Sequence, residues 1–295
     1  RFFMHVLIEQ LTSTGVVVTD GAWATQLHRL GLPVGAPPER WNLEHPDRVE
    51  QVARAYVEAG SLIILTNTFG GNRLSLARHG LADQIRQVNQ AGVEISLRAA
   101  GQEALVFASV GPSGKMLLTG DTTPEELQAV FEEQCGLLAE ADADGIVIET
   151  MSDLEEAAIA VRAAKGTGLP VVACMVFASG RDKDRTLMGN TPEQAAEALT
   201  QAGADVVGAN CGQGIETFVP ICRRLRSATD RPIWIKPNAG LPELIDGQPQ
   251  YRQTPDQFAS YVPALVEAGA AFLGGCCGTT PDFIRAIRTQ LAQMG

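Results

Sequence analysis

Residues 191–212 read Thr-Pro-Glu-Gln-Ala-Ala-Glu-Ala-Leu-Thr-Gln-Ala-Gly-Ala-Asp-Val-Val-Gly-Ala-Asn-Cys-Gly. Thr191 is placed to cap a helix. Pro192 suits the first helical position, where no intrahelical N–H is needed, and Gln194 stands at capping-box spacing. Gly203 follows Gln201-Ala202, where a left-handed residue closes a helix. A short, almost wholly apolar strand follows at 205–209 and ends in Asn210-Cys211-Gly212. Helix, glycine stop, buried strand and polar strand end make one unit of an α/β protein.

The same devices recur on either side. Thr123-Pro124-Glu125-Glu126 predicts a capping box, and Thr254-Pro255-Asp256-Gln257 and Thr280-Pro281-Asp282 echo it. Glu58-Ala59-Gly60 and Glu267-Ala268-Gly269 repeat the stop. A helix over 46–59 follows His45, with Asp47 in its first turn, and another over 156–165 lacks the opening proline. Eight strands are predicted at 16–19, 62–66, 105–110, 145–149, 171–175, 205–209, 232–235 and 271–274. With one crossover sense, eight such units close into a (β/α)8 TIM barrel. The 295 residues suit one α/β domain over 1–295, and no linker-like stretch divides them. The rival, a doubly wound open sheet, calls for a glycine-rich phosphate loop after the first strand. Asp20-Gly21-Ala22-Trp23 stands there instead.

Hydrophobic residues make up 45% and charged residues 19%, which suits a globular core. The net charge of −11 argues against nucleic acid or an anionic membrane as partner. No apolar run approaches the length of a membrane span. Arg1-Phe2-Phe3-Met4 lacks the features of a signal peptide, and Met4 reads as a natural start. These features predict a cytoplasmic protein.

Barrel active sites lie at the C-terminal ends of the strands. The residues there are Asp20, Thr66-Asn67-Thr68, Gly111-Pro112, Glu149-Thr150, Asn210-Cys211-Gly212, Lys236-Pro237-Asn238 and Gly274-Gly275-Cys276-Cys277-Gly278. Of six cysteines, Cys211, Cys276 and Cys277 sit at the sixth and eighth strand ends, where their sulfurs can converge. Cys135 and Cys222 fall inside helical patterns and Cys174 inside a strand, as buried thiols do. Two adjacent cysteines face one point only if the backbone leaves strand geometry, and Gly274, Gly275 and Gly278 make such a turn accessible. A Cys276–Cys277 disulfide is the alternative, but adjacent Cα atoms lie about 3.8 Å apart, short of the usual span.

Three thiolates suit zinc with one open position, and soft sulfur excludes magnesium and calcium. An iron–sulfur cluster is a rival, although the tight Cys-x-x-Cys runs of many clusters are absent. His5, His28, His45 and His79 fall in helices or outer loops, away from the strand ends. Three thiolates overcompensate the charge of the ion. Such a centre is a weak generator of hydroxide but still lowers the pKa of a bound thiol, so alkyl transfer to a thiol is its natural reaction. A different enzyme class, a Schiff-base aldolase or synthase using Lys236, is the other catalytic reading of the strand ends. A non-catalytic zinc-binding module is a further one.

At these residues the chain resembles the homocysteine S-methyltransferase family. The resemblance is carried by Gly274-Gly275-Cys276-Cys277-Gly278-Thr279-Thr280-Pro281 with Asn210-Cys211-Gly212. Thr19-Asp20-Gly21-Ala22, Thr66-Asn67-Thr68-Phe69, Ser109-Val110-Gly111-Pro112, Glu149-Thr150 and Lys236-Pro237-Asn238-Ala239-Gly240-Leu241-Pro242 agree in order along the chain. The resemblance implies a (β/α)8 barrel with Zn2+ on Cys211, Cys276 and Cys277, homocysteine sulfur in the open position, and methionine as product. It implies that Asp20, Gly21 and Glu149 hold the amino-acid end of the substrate. Asn67, Asn210 and Asn238 are further substrate-side candidates.

The methyl donors it implies are a methylcorrinoid, S-methylmethionine, S-adenosylmethionine or betaine. Thr150 stands where the betaine-using branch has tyrosine, which argues against betaine. The 237–242 run and 114–121 look closest to the homocysteine-binding module of cobalamin-dependent methionine synthase, yet no folate or corrinoid module is in the sequence. The donor is then free or arrives on a separate corrinoid protein. The alternative expectation is a methyltransferase component of a corrinoid-dependent demethylation system.

Overall fold

The computed structural model describes residues 4–245 and 248–295. The reading of the N-terminus at residues 1–3 lies outside the described residues. The barrel strands are β1 (Val17–Val18), β2 (Ile63–Leu65), β3 (Leu105–Val110), β4 (Gly145–Met151), β5 (Val171–Met175), β6 (Val206–Gly214), β7 (Ile233–Asn238) and, after a two-stranded hairpin, β10 (Ala270–Leu273). All pairs in this sheet are parallel, in the order β1-β10-β7-β6-β5-β4-β3-β2. The two ends meet: Leu62 N–H donates to Val18 O at 2.8 Å, and Thr19 bridges Ile63. The sheet is therefore a closed (β/α)8 barrel, as the repeated units predict.

The period of two along each strand sorts side chains into two cores. Val17, Ile63, Phe107, Val147, Val172, Cys174, Val206, Trp234 and Phe272 point inward. Their neighbours Val18, Ile64, Val106, Ile146, Val171, Val207 and Ile235 point outward and pack under the helices. Trp234 fills the middle of the barrel, stacked between Phe107 at 6.5 Å and Phe272 at 5.1 Å between ring centroids. The bottom is plugged by the helix Val6–Thr12, whose Ile8 joins the inner core. His5 N–H ties that helix to Asp205 Oδ1 at 2.9 Å.

The predicted caps are mostly present. Thr191–Gln194 and Thr254–Gln257 form full capping boxes. Gly60, Gly203 and Gly269 have φ of 93°, 109° and 102°. The predicted box at Thr123 is only half made. Thr123 accepts from Glu126 N–H, but Glu126 Oε2 takes the Thr122 hydroxyl at 2.9 Å instead of turning back to the cap. The helix predicted over 156–165 is Leu154–Lys165, started by Asp153, which accepts from Glu155 N–H at 2.9 Å. β4 and β6 run beyond the predicted 149 and 209, because polar residues at the mouth continue the ladder. The antiparallel hairpin β8 (Glu243–Ile245) with β9 (Gln248–Gln250) was not expected. Its strands are short, although an Asp246-Gly247 dipeptide between two runs is a hairpin signal in sequence. Among the described residues, no helix is long and apolar enough to cross a membrane.

Candidate metal centre and active site

The inward-facing positions change character one step above the aromatic layer. Two residues past Phe107 is Ser109, two past Val147 is Glu149, two past Gly208 is Asn210, and past Trp234 come Lys236 and Asn238. All five are buried. Strand periodicity thus delivers them to one level at the mouth of the barrel.

Lys236 is ion-paired to Asp20, at 2% and 0% side-chain exposure. The other Asp20 oxygen, Oδ2, accepts from Trp23 Nε1 and from Leu65 N–H, both at 2.7 Å. The Asp20 carboxylate, expected on the substrate side, lies just beneath the cavity with each oxygen bonded to a protein donor. Glu149 remains at the surface of the cavity. Its Oε1 accepts from Ser109 Oγ at 2.5 Å and its Oε2 from Asn210 Nδ2 at 3.2 Å. Burial raises the Glu149 pKa, opposed by the charge of Lys236 and the Ser109 hydroxyl. Burial disfavours the charge of Lys236, but Asp20 and Glu149 outweigh it and the pKa is raised. A lysine held as ammonium is a poor Schiff-base nucleophile, which counts against the aldolase reading.

The sulfurs of Cys211, Cys276 and Cys277 lie within 4.8 Å of one another, and all three residues are half-buried. Cys211 reaches the cluster by leaving strand geometry: its φ is 61°, in the left-handed region that non-glycine residues rarely occupy. Thr150 opposite has the same value, 61°, and its N–H donates to Asn210 Oδ1 at 2.8 Å. The vicinal pair sits in a turn. Cys276 N–H bonds Pro237 O at 2.7 Å, and the Thr279 hydroxyl bonds Cys276 O at 2.7 Å. Asn238 clamps the two cysteine segments together. Its Nδ2 donates to Gly212 O at 2.9 Å and its Oδ1 accepts from Cys277 N–H at 3.0 Å.

Of the three glycines expected to ease the turn, only Gly278 uses a left-handed φ, 83°. Gly274 and Gly275 supply space instead. A Cβ on Gly274 would overlap Thr19 and the Asp20 carbonyl, and one on Gly275 would overlap Thr279. All six cysteines are free thiols, so the vicinal disulfide is not formed. Hydrogen bonds from the Cys276 and Cys277 thiols push the Cys211 thiol to well below its ordinary value, and the two donors are raised in turn. Cys135 and Cys222 are ordinary buried thiols, each pushed up to about 12 by burial.

The cluster opens on a cavity of about 210 Å³, lined by Gly21, Trp23, Glu39, Asn67, Phe69, Glu149, Thr150 and Lys236 among others. Gly21 lacks room for a side chain, since a Cβ there would lie 2.8 Å from the Tyr56 hydroxyl. Asn67 lines the wall but spends its amide on Pro38 O and Asn42 Oδ1, at 2.7 and 2.8 Å. Of the predicted residues, Cys211, Cys276, Cys277, Glu149, Gly21 and Asn67 line the cavity. Asp20, Asn210 and Asn238 are buried behind it. Trp23, Glu39, Phe69 and Ser109 were not named as site residues, although Phe69 and Ser109 stand in the motif runs that carry the resemblance. Ser109 also carried a local signal, as an inward polar residue on an otherwise apolar strand. Three convergent, half-buried sulfurs fit a soft metal such as zinc.

The sequence profile of the homocysteine S-methyltransferase family matches residues 17–291. Methionine synthase of Mycobacterium leprae is 31% identical over 306 residues, covering 97% of this chain and 25% of that protein. Betaine–homocysteine S-methyltransferase 1 of Danio rerio is 29% identical over 315 residues, covering 97% of this chain and 75% of that one. The chain thus spans about a quarter of the length of the methionine synthases it matches. In fold, it superposes on the metallated homocysteine methyltransferase MmuM of Escherichia coli with a TM-score of 0.80. The identity is 24%, over 96% of this chain and 99% of that one. The family profile runs from the first barrel strand to the last helix and takes in both cysteine segments at the mouth: the chain belongs to the homocysteine S-methyltransferase family of enzymes.

Proposed function

We propose that this chain transfers a methyl group to the thiol of homocysteine, giving methionine, with Zn2+ held by Cys211, Cys276 and Cys277. The observation that carries the reading is the convergence of the three sulfurs within 4.8 Å beside a cavity that also exposes Glu149. Zinc on three thiolates supplies an electron-rich centre that lowers the pKa of a thiol and leaves its sulfur nucleophilic. The protein groups do the rest. Glu149 offers a carboxylate to the substrate ammonium, and Gly21 leaves the wall bare of a side chain. Asn210 ties Glu149 to the sulfur cluster, bonding Glu149 Oε2 at 3.2 Å and approaching Cys276 Sγ at 3.8 Å. Asn238 holds the cysteine segments in register with each other.

The test is Cys211→Ala, followed by metal content and a donor panel of S-methylmethionine, S-adenosylmethionine, betaine and methylcobalamin. Loss of both zinc and methyl transfer is expected; full activity in a zinc-free variant overturns the reading. A second reading, in which the methyl group is exchanged with a separate corrinoid protein, is favoured by one feature. Phe69, Met116, Leu118, Leu187, Met188 and Leu241 are large exposed apolar side chains on the loops that follow β2, β3, β5 and β7, around the mouth. Such a rim suits a macromolecular donor. Activity with free S-methylmethionine alone would count against it.

A further inference from the structure

A methyl donor in the cavity can meet four sulfurs. Cys211, Cys276 and Cys277 line that cavity beside the acceptor thiol, and a thiolate on zinc is a nucleophile whichever molecule supplies it. Methylating a ligand would turn its thiolate into an uncharged thioether. A hydrogen bond to a thiolate draws off part of its charge, and nucleophilicity falls with basicity. Each ligand sulfur has a protein donor. Asn210 Nδ2 stands 3.8 Å from Cys276 Sγ, and the Gly212 N–H bonds the Cys211 sulfur. The Tyr251 hydroxyl bonds the sulfur of Cys277.

Tyr251 follows β9 and is held beside the vicinal turn by main-chain bonds. Gln253 N–H donates to Ala239 O at 3.4 Å, and Ala239 N–H donates to Cys277 O at 2.9 Å. The Tyr251 ring rests on Gly278, where a Cβ would lie 2.2 Å from Tyr251 Cγ, and packs against the outer core. Cys277 lines the cavity, whereas Tyr251 does not. The phenol therefore approaches the sulfur from the protein side. Burial and the neighbouring sulfurs hold its pKa above the ordinary value, so it stays a donor.

We propose that the Tyr251 hydroxyl quiets the Cys277 thiolate, so that the methyl group goes to the acceptor sulfur and not to a metal ligand. The inference rests on the reading of the three cysteines as a zinc centre for methyl transfer. Tyr251 is a positioning residue in this scheme: it acts through Cys277 and touches no substrate. The reaction it suppresses forms a bond from Cys277 Sγ to the methyl carbon. The bond from that carbon to its leaving group breaks, and the electron pair departs with the leaving group. No proton, oxidant or reductant is needed, so only the nucleophilicity of the sulfur stands in the way.

The test treats the zinc-loaded protein with methyl iodide in the absence of acceptor and follows methylation of each cysteine by peptide mass spectrometry. Tyr251→Phe keeps the ring on Gly278 and removes only the hydroxyl. A charge-assisted hydrogen bond is worth roughly ten- to hundredfold in an equilibrium, and thiolate reactivity follows about the 0.4–0.5 power of that factor. Cys277 should therefore be methylated about three- to tenfold faster in Tyr251→Phe, with Cys211 and Cys276 unchanged. In the Co2+-substituted protein, the sulfur-to-metal charge-transfer band should move to lower energy in the variant, a change that looser packing alone does not produce. An unchanged rate at Cys277 with zinc retained, equal acceleration at all three cysteines, or loss of zinc from Tyr251→Phe overturns the proposal. A wild type that holds no zinc on these cysteines sinks the metal reading itself, and this proposal with it.

Discussion

Asn238→Ala separates the folding of the barrel from the assembly of its metal centre. Asn238 is buried and makes two bonds, to Gly212 O at 2.9 Å and from Cys277 N–H at 3.0 Å. Each ties down the backbone at or next to a sulfur ligand, one on either side of the cluster. Alanine leaves a carbonyl and an N–H without partners, at about 1–3 kcal/mol each if both stay dry. Gly212 and Cys277 are half-buried, so water at the mouth recovers part of this, and about 2 kcal/mol in all is the expected loss. The barrel ladder on either side is untouched, so the loss falls on the arrangement of the cysteines. In binding terms, 2 kcal/mol is roughly thirtyfold, inside the range of about 10–100-fold typical of residues that orient metal ligands. Competition with a chromophoric chelator measures zinc affinity, and urea unfolding of the metal-free protein measures the barrel. Zinc affinity should fall about thirtyfold. An affinity within about twofold of wild type, a difference of only about 0.4 kcal/mol, would refute the idea that Asn238 positions the ligand loops.

Gly274→Ala should destabilise the protein by more than about 2 kcal/mol, because the new methyl group would overlap Thr19 and the Asp20 carbonyl. Gly80→Ala, at φ 69° in open space, should cost only the backbone strain of about 1–2 kcal/mol, and a larger loss there than at Gly274 in urea titrations would reject the steric account. Glu193 is held at a pKa of about 2, against an ordinary 4.5, chiefly by its hydrogen bonds to Arg224. A lowered carboxylate pKa contributes stability above the ordinary value, and that contribution fades as pH falls toward 2. The stability gap between wild type and Glu193→Gln should therefore be small, since the pair is partly exposed, and should close between about pH 5 and 2. A gap that stays constant over that range in urea midpoints would contradict the pairing.

Much of this protein is legible locally. Thr-Pro starts and Gly stops depend on backbone groups within four residues of each other, so they can be read from neighbours alone. Strand alternation is equally local, and it carried Glu149, Asn210 and Asn238 to the inner face of the mouth. The cysteines were readable because two strand ends that neighbour the same strand hold three soft ligands. What failed locally failed for a stated reason. The half-made box at Thr123 turned on a competing hydroxyl at Thr122. Gly274 and Gly275 looked like turn residues, but their need for space comes from Thr19, Asp20 and Thr279.

The sequence by itself therefore determined the repeated strand–helix unit, the barrel it builds and the three sulfurs at its mouth. These follow from periodicity, caps and ligand chemistry, which act between near neighbours or at equivalent strand ends. Tertiary structure alone decided which charges meet. Lys236 finds Asp20 across 216 positions of the chain, and Leu65, 45 positions away, bonds the same carboxylate. Those partners are set by barrel closure and by the register of β1, β2 and β7 against one another. No local pattern encodes that register, because it follows from the shear of the whole sheet. That closure buries Asp20 beneath the cavity that Glu149 and Lys236 line.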